Sequence, residues 1–87
     1  MYSKEELWKE CLVKIKALIP LESYSTWFLP IYPHSLREDN LIIIVPNEFY
    51  KACLQENYHD VIKSILDPLT NKSIKLNFRI EMSSASN

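Results

Sequence analysis

Two short runs restrict what this chain can become: Tyr24-Ser25-Thr26-Trp27-Phe28-Leu29-Pro30 and, further on, Val45-Pro46-Asn47-Glu48-Phe49. Proline fixes φ and removes a backbone donor, so aromatic side chains this dense beside one need a defined packed structure. Neither run carries a group suited to covalent or acid–base chemistry. They point to a module that is held and holds something, and does not react.

With 87 residues, the chain is one small domain. A domain of this size buries only about 60–65% of its unfolded surface, so its core has to be efficient. The 47% hydrophobic content supplies that core, and 24% charged residues mark an ordinary globular surface. The net charge of −1 lacks the basic excess with which a phosphate-neutralising domain binds nucleic acid. There is no glycine, which excludes a phosphate-cradling glycine loop and a dinucleotide fingerprint.

Cys11 and Cys53 are too few for a disulfide scaffold and too far apart for a zinc knuckle. Apolar neighbours favour buried free thiols, with a Cys11–Cys53 bridge as the other reading. The run Leu41 to Val45 is far shorter than the roughly 20 residues a membrane span needs. No signal-peptide pattern opens the chain, so a cytoplasmic, reducing location is expected.

Ser3-Lys4-Glu5-Glu6 reads as a capping box opening a helix. Leu7, Trp8, Cys11, Leu12, Ile15, Leu18 and Ile19 form its apolar stripe, and Pro20 stops it. A short helix over Leu21 to Phe28 follows, with Tyr24, Trp27 and Phe28 on a shared face and Pro30 closing it. Ile31 to Leu36 suits a strand that Pro33 confines to an edge or a bulge. After a polar turn at Arg37 to Asn40, Leu41 to Val45 reads as a buried strand. Asn47 caps the next helix, which ends at Asp67-Pro68 and has room for a bend near Gln55 to Asn57. Ile74, Leu76, Phe78, Ile80 and Met82 then alternate with polar residues as a strand with one wet face. The predicted order is α-α-β-β-α-β, an α+β fold with a three-stranded sheet and helices packed on one face. A crossover through the third helix sets the last strand parallel to the second. Residues 1–82 form the domain, and residues 83–87 read as the start of a flexible linker.

The blocks Leu7-Trp8-x-x-Cys11-Leu12, Tyr24 to Pro30 and Val45 to Phe49 occur in an order and spacing that resembles the N-terminal domain of the DnaA family of bacterial replication initiators. The likeness runs from about Leu7 to Ile80. It implies a K-homology-like fold, a cytoplasmic location, initiator self-association, recruitment of the replicative helicase at the origin, and docking of regulatory proteins. It also implies that ATP and origin DNA are bound by downstream modules outside this sequence. No cofactor and no membrane contact are expected for this chain. Trp8 matches the family's tryptophan of self-association, and Phe49 an aromatic of helicase contact. The acidic helicase-contact position falls on Ser23, whose hydroxyl carries no charge, with Glu22 one residue earlier.

Trp8 lies inside an apolar stripe, so core packing and an exposed interface anchor both stand for it. For Phe49, a contact to the strand end and a partner contact stand equally. Trp27, flanked by Phe28 and bracketed by proline, is expected in the core. His59 and Asp60, adjacent on a helix, are expected to point apart. Lys72, Lys75 and Arg79 lie near or on the wet face of the last strand. The competing function is a K-homology-like domain for single-stranded nucleic acid, which clamps the backbone with a G-x-x-G loop that a glycine-free chain lacks. An enzyme ranks last, since no nucleophile has an evident base and no metal cluster appears.

Overall fold

In the computed structural model, residues 2–81 are described; the linker expected at 83–87, and Met82 of the last strand, lie outside them. Helix α1 spans Lys4–Leu18. The Ser3 hydroxyl accepts from the Glu6 N–H, and Glu6 Oε1 accepts from the Ser3 N–H, both at 3.1 Å. These reciprocal bonds satisfy two donors that a helix start otherwise leaves unpaired. Leu7, Cys11 and Ile15, four apart, are fully buried, and Ile19 continues their row as the extended residue before Pro20. Leu18 falls off that row and is 63% exposed, against its expected place in the stripe.

Helix α2 spans Leu21–Trp27, with Phe28 closing it through an N–H bond to the Tyr24 carbonyl. Strands β1 (Tyr32–Arg37) and β2 (Asn40–Val45) pair antiparallel, and β1 bulges between Pro33 and Ser35. The bulge sits where proline leaves the ladder without a donor. Between the strands Glu38 has φ 56°, a left-handed conformation usually given to glycine.

One helix ending at Asp67-Pro68, with room for a bend near Gln55 to Asn57, is the sequence expectation; the structure divides it at that bend. Helix α3 (Glu48–Cys53) runs into a π-helical turn at Leu54–Tyr58, and helix α4 (His59–Thr70) follows. Leu54 and Ile62 are both fully buried. Eight residues of unbroken α-helix would set them about 80° apart, an offset that the wider turn takes up.

Pro68 lies inside α4, contrary to the expected stop. Its missing N–H frees only one carbonyl so near the helix end, and local bonds rebuild the last turn. Thr70 Oγ1 donates to the Leu66 carbonyl at 2.9 Å. Asn71, left-handed at φ 60°, donates its N–H to the Asp67 carbonyl. The Asp67 carboxylate accepts from the Ile74 N–H at 2.9 Å and from Lys63 Nζ at 3.2 Å. These two donors, the amide foremost, hold the Asp67 carboxyl below its usual range.

Strand β3 (Lys75–Ile80) pairs parallel to β2, completing a sheet of order β1-β2-β3. Leu41, Ile43, Val45, Leu76 and Phe78 join Leu7, Phe28, Leu54 and Ile62 in one core. The other sheet face carries the exposed Arg37, Lys75, Asn77 and Arg79. The α+β fold and its strand directions are those expected. Both cysteines are free, which sets the bridge aside. Among the described residues, no helix is long and apolar enough to cross a membrane.

Candidate protein-docking site

The aromatic run divides between two jobs. Tyr24 and Phe28, four apart on α2, stack with ring centroids 6.0 Å apart and planes 12° from parallel. Phe28, 1% exposed, meets Tyr58 edge-on at 5.2 Å. Lys16 Nζ lies 5.7 Å from the Tyr24 ring centroid, covering the outer end of this stack with a cation–π contact.

Trp27 is half-buried and packs against the core from its edge, so its expected place within the core is corrected to the margin. Adjacent helix positions differ by about 100°, so Trp27 lies off the row that Tyr24 and Phe28 form. Trp27 packs against Phe49 at 5.5 Å and edge-on against Tyr50 at 5.0 Å. Each such pair contributes about 0.5–1.5 kcal/mol beyond the area it buries.

Phe49 is the projecting member of this shelf, 70% exposed. Its helix start is held by the Asn47 cap, whose Oδ1 accepts from the Tyr50 N–H at 3.0 Å. Leu21 and Leu29, at the two ends of the α2 segment, are also exposed, each at 63%. A rigid aromatic rim with one ring projecting is an arrangement a protein partner can use as an anchor. It offers no acid, base or nucleophile.

The predicted residues separate accordingly. Ser23 is half-buried one turn before Trp27 on the same face of α2, which ties it to the shelf. Glu22, exposed in the first turn, faces about 100° away from Ser23. Trp8 is not part of this surface. It is 3% exposed in the core, so its indole is no exposed anchor, and its Nε1 has no partner among the described residues. The reason is position: Trp8 sits beside Leu7 on the face of α1 that closes over the core. Tyr50, Leu21 and Leu29 were not singled out from the sequence. The signal for Tyr50 was its place right after Phe49, next to the Asn47 cap.

Other polar groups form no comparable centre. His59 Nδ1 and Asp60 Oδ1 do meet, at 3.3 Å, although adjacent residues were expected to diverge. The Asp60 side chain is fully exposed there, so the contact is a surface one at the start of α4. Burial pushes the Cys11 thiol up to about 12, which makes it inert.

Comparison with known proteins bears on the fold and the family. The DnaA N-terminal domain family matches residues 5–67. The chromosomal replication initiator protein DnaA of Geotalea daltonii is 33% identical over 76 residues, 87% of this chain and 17% of the relative. That of Flavobacterium psychrophilum is 37% identical over 78 residues, 90% of this chain and 16% of the relative. This chain thus spans a small part of these relatives' length. A crystal structure of a HobA–DnaA (domain I-II) complex from Helicobacter pylori contains a chain of the same fold. Its TM-score is 0.73 at 19% identity, covering 84% of this chain and 94% of that chain. With the family match running from the first turn of α1 into α4, the chain belongs to the DnaA N-terminal domain family.

Proposed function

We propose that this chain is the protein-docking module of a chromosomal replication initiator, receiving the replicative helicase and regulators of initiation on the shelf of Trp27, Phe49 and Tyr50. The observation that carries this is Phe49, 70% exposed yet braced against Trp27 at 5.5 Å. An aromatic ring that is rigid before binding loses little conformational entropy on contact, which is what an interface anchor needs. Ser23 extends the shelf along α2, and Glu22 supplies an exposed carboxylate at its margin. The likeness to a chain solved in complex with HobA supports regulator docking in particular. Weak self-association is part of the same reading, with Trp8 shaping α1 from within. ATP and origin DNA fall to further modules of the initiator.

An NMR titration of the labelled chain with the replicative helicase tests the reading. Amide shifts should cluster on Glu22, Ser23, Trp27, Phe49 and Tyr50. Phe49→Ala should weaken binding about 30-fold, corresponding to an anchor of about 2 kcal/mol. Shifts confined to other surfaces, or undiminished affinity in the variant, would refute it.

A further inference from the structure

Among the described residues, the sheet ends at β3 in an edge that no other element pairs with. At the β1 edge, the Pro33–Ser35 bulge interrupts the ladder and Pro33 has no N–H to offer. Strand β3 instead pairs in unbroken register along its whole length, and only on the β2 side. The N–H groups of Lys75 and Glu81 bond to the Asp39 and Val45 carbonyls, each at 2.7 Å, so the odd-numbered residues face β2. The N–H and C=O groups of Leu76, Phe78 and Ile80 therefore point outward. Among the described residues, no hydrogen bond from a helix or loop reaches them.

Charge restricts what can pair there. A second copy of β3, antiparallel and centred on Phe78, sets Lys75 opposite Glu81 and Asn77 opposite Arg79, twice over by symmetry. Leu76 then meets Ile80, and Phe78 meets its own counterpart, on the face the helices cover. The outward groups of Leu76, Phe78 and Ile80 fall opposite one another as hydrogen-bonded pairs, giving about six backbone bonds. Sliding the copy by two residues sets Lys75 against Arg79 in one direction and Arg79 against Arg79 in the other. Like charges directly opposite are destabilising, and a one-residue slide turns the apolar face outward. Among the registers within two residues of it, the one centred on Phe78 alone sets opposite charges together, and it pairs the whole strand.

We propose that β3 is a self-pairing edge, to which a second copy of this chain adds antiparallel about Phe78 to make one continuous sheet. The proposal rests on the self-association reading above and assigns it a surface separate from the aromatic shelf. One strand pair buries well under about 1,200 Å², so the pairing is weak and concentration-dependent.

Hydrogen exchange of the whole chain across a concentration series, with sedimentation in parallel, tests it. Protection of the Leu76, Phe78 and Ile80 amides should rise with concentration. Lys75→Glu or Glu81→Lys alone should abolish that rise, and the double exchange Lys75→Glu with Glu81→Lys should restore it. An unchanged melting temperature in each variant separates lost pairing from lost folding. Concentration-independent protection at these amides, or a double exchange that restores nothing, overturns the edge proposal. If self-association persists with protection only at Trp27, Phe49 and Tyr50, the edge is refuted while the docking shelf stands. If the edge pairs but the helicase titration leaves the shelf unshifted, the reverse holds.

Discussion

Trp8 and Trp27 show how differently two tryptophans of one small domain are used. Trp8 fills core volume with its indole N–H unpartnered among the described residues, so part of its packing gain is offset by a desolvated donor. Trp8→Ala is expected to cost about 3–5 kcal/mol, whereas Trp8→Phe should cost much less, because it removes the orphan donor along with some volume. Urea unfolding of the two variants measures the difference. A defect in self-association seen only with Trp8→Ala would therefore report lost folding. The thiols divide in the same way. Cys53, half-buried and accepting from Asn57 Nδ2 at 3.5 Å, should react with a thiol reagent at neutral pH. Cys11, buried and pushed up to about 12, should react only on unfolding, so native protein titrates one thiol and denatured protein two.

At the scale of elements, Asp67 joins α4 to β3 through the Ile74 amide and Lys63. Its carboxyl is held below the ordinary value, so the folded state binds its proton less tightly than the unfolded chain does. That stability is complete above the unfolded value of about 3.9 and is lost as pH falls through the folded one. Solvent screens the partly exposed pair, so the effect is modest. Asp67→Asn should flatten the fall in melting temperature below about pH 4 and leave the neutral value only slightly lower. The sequence made some of this architecture plain. The Ser3–Glu6 box, the Asn47 cap and the alternation of β3 are local patterns whose physics acts within a few residues. The place of the π-helical turn was legible as a bend near Gln55 to Asn57, but its width was not, because that answers to Leu54 and Ile62 both needing the core, a tertiary demand. Pro68 misled for a related reason: the bonds that rebuild its turn come from Thr70, Asn71 and Ile74 beyond it. The shelf was half legible, since Phe49 stood out beside its cap while Trp27 looked like core. Only the angle between Trp27 and Phe28 on a real helix separates them.

For the whole molecule, one core draws on α1, Phe28 after α2, the π-helical turn, α4, β2 and β3, with Leu36 of β1 packed against it. Leu54, fully buried in it, should cost about 2–5 kcal/mol as alanine, a large share of the roughly 5–15 kcal/mol that holds a domain together. Phe49→Ala removes a mostly exposed ring and should shift the melting temperature by only a few degrees. Calorimetry on the two variants should place them far apart. The domain thus keeps its fold and its proposed docking surface on largely separate side chains, joined at Trp27 and Tyr50.

The widened turn at Leu54–Tyr58 has a mechanical consequence. It works as a differential between two shafts: α4 is locked to the core, while the angular setting of α3, and so the bearing of Phe49, depends on how many residues the turn contains. Deleting one residue there would restore plain α-helix and leave Phe49 within about 20° of its present bearing, whereas adding one would swing it by about 100° with α4 in place. Partner choice in a domain built this way can drift by changes in length at one turn, with every anchoring side chain untouched.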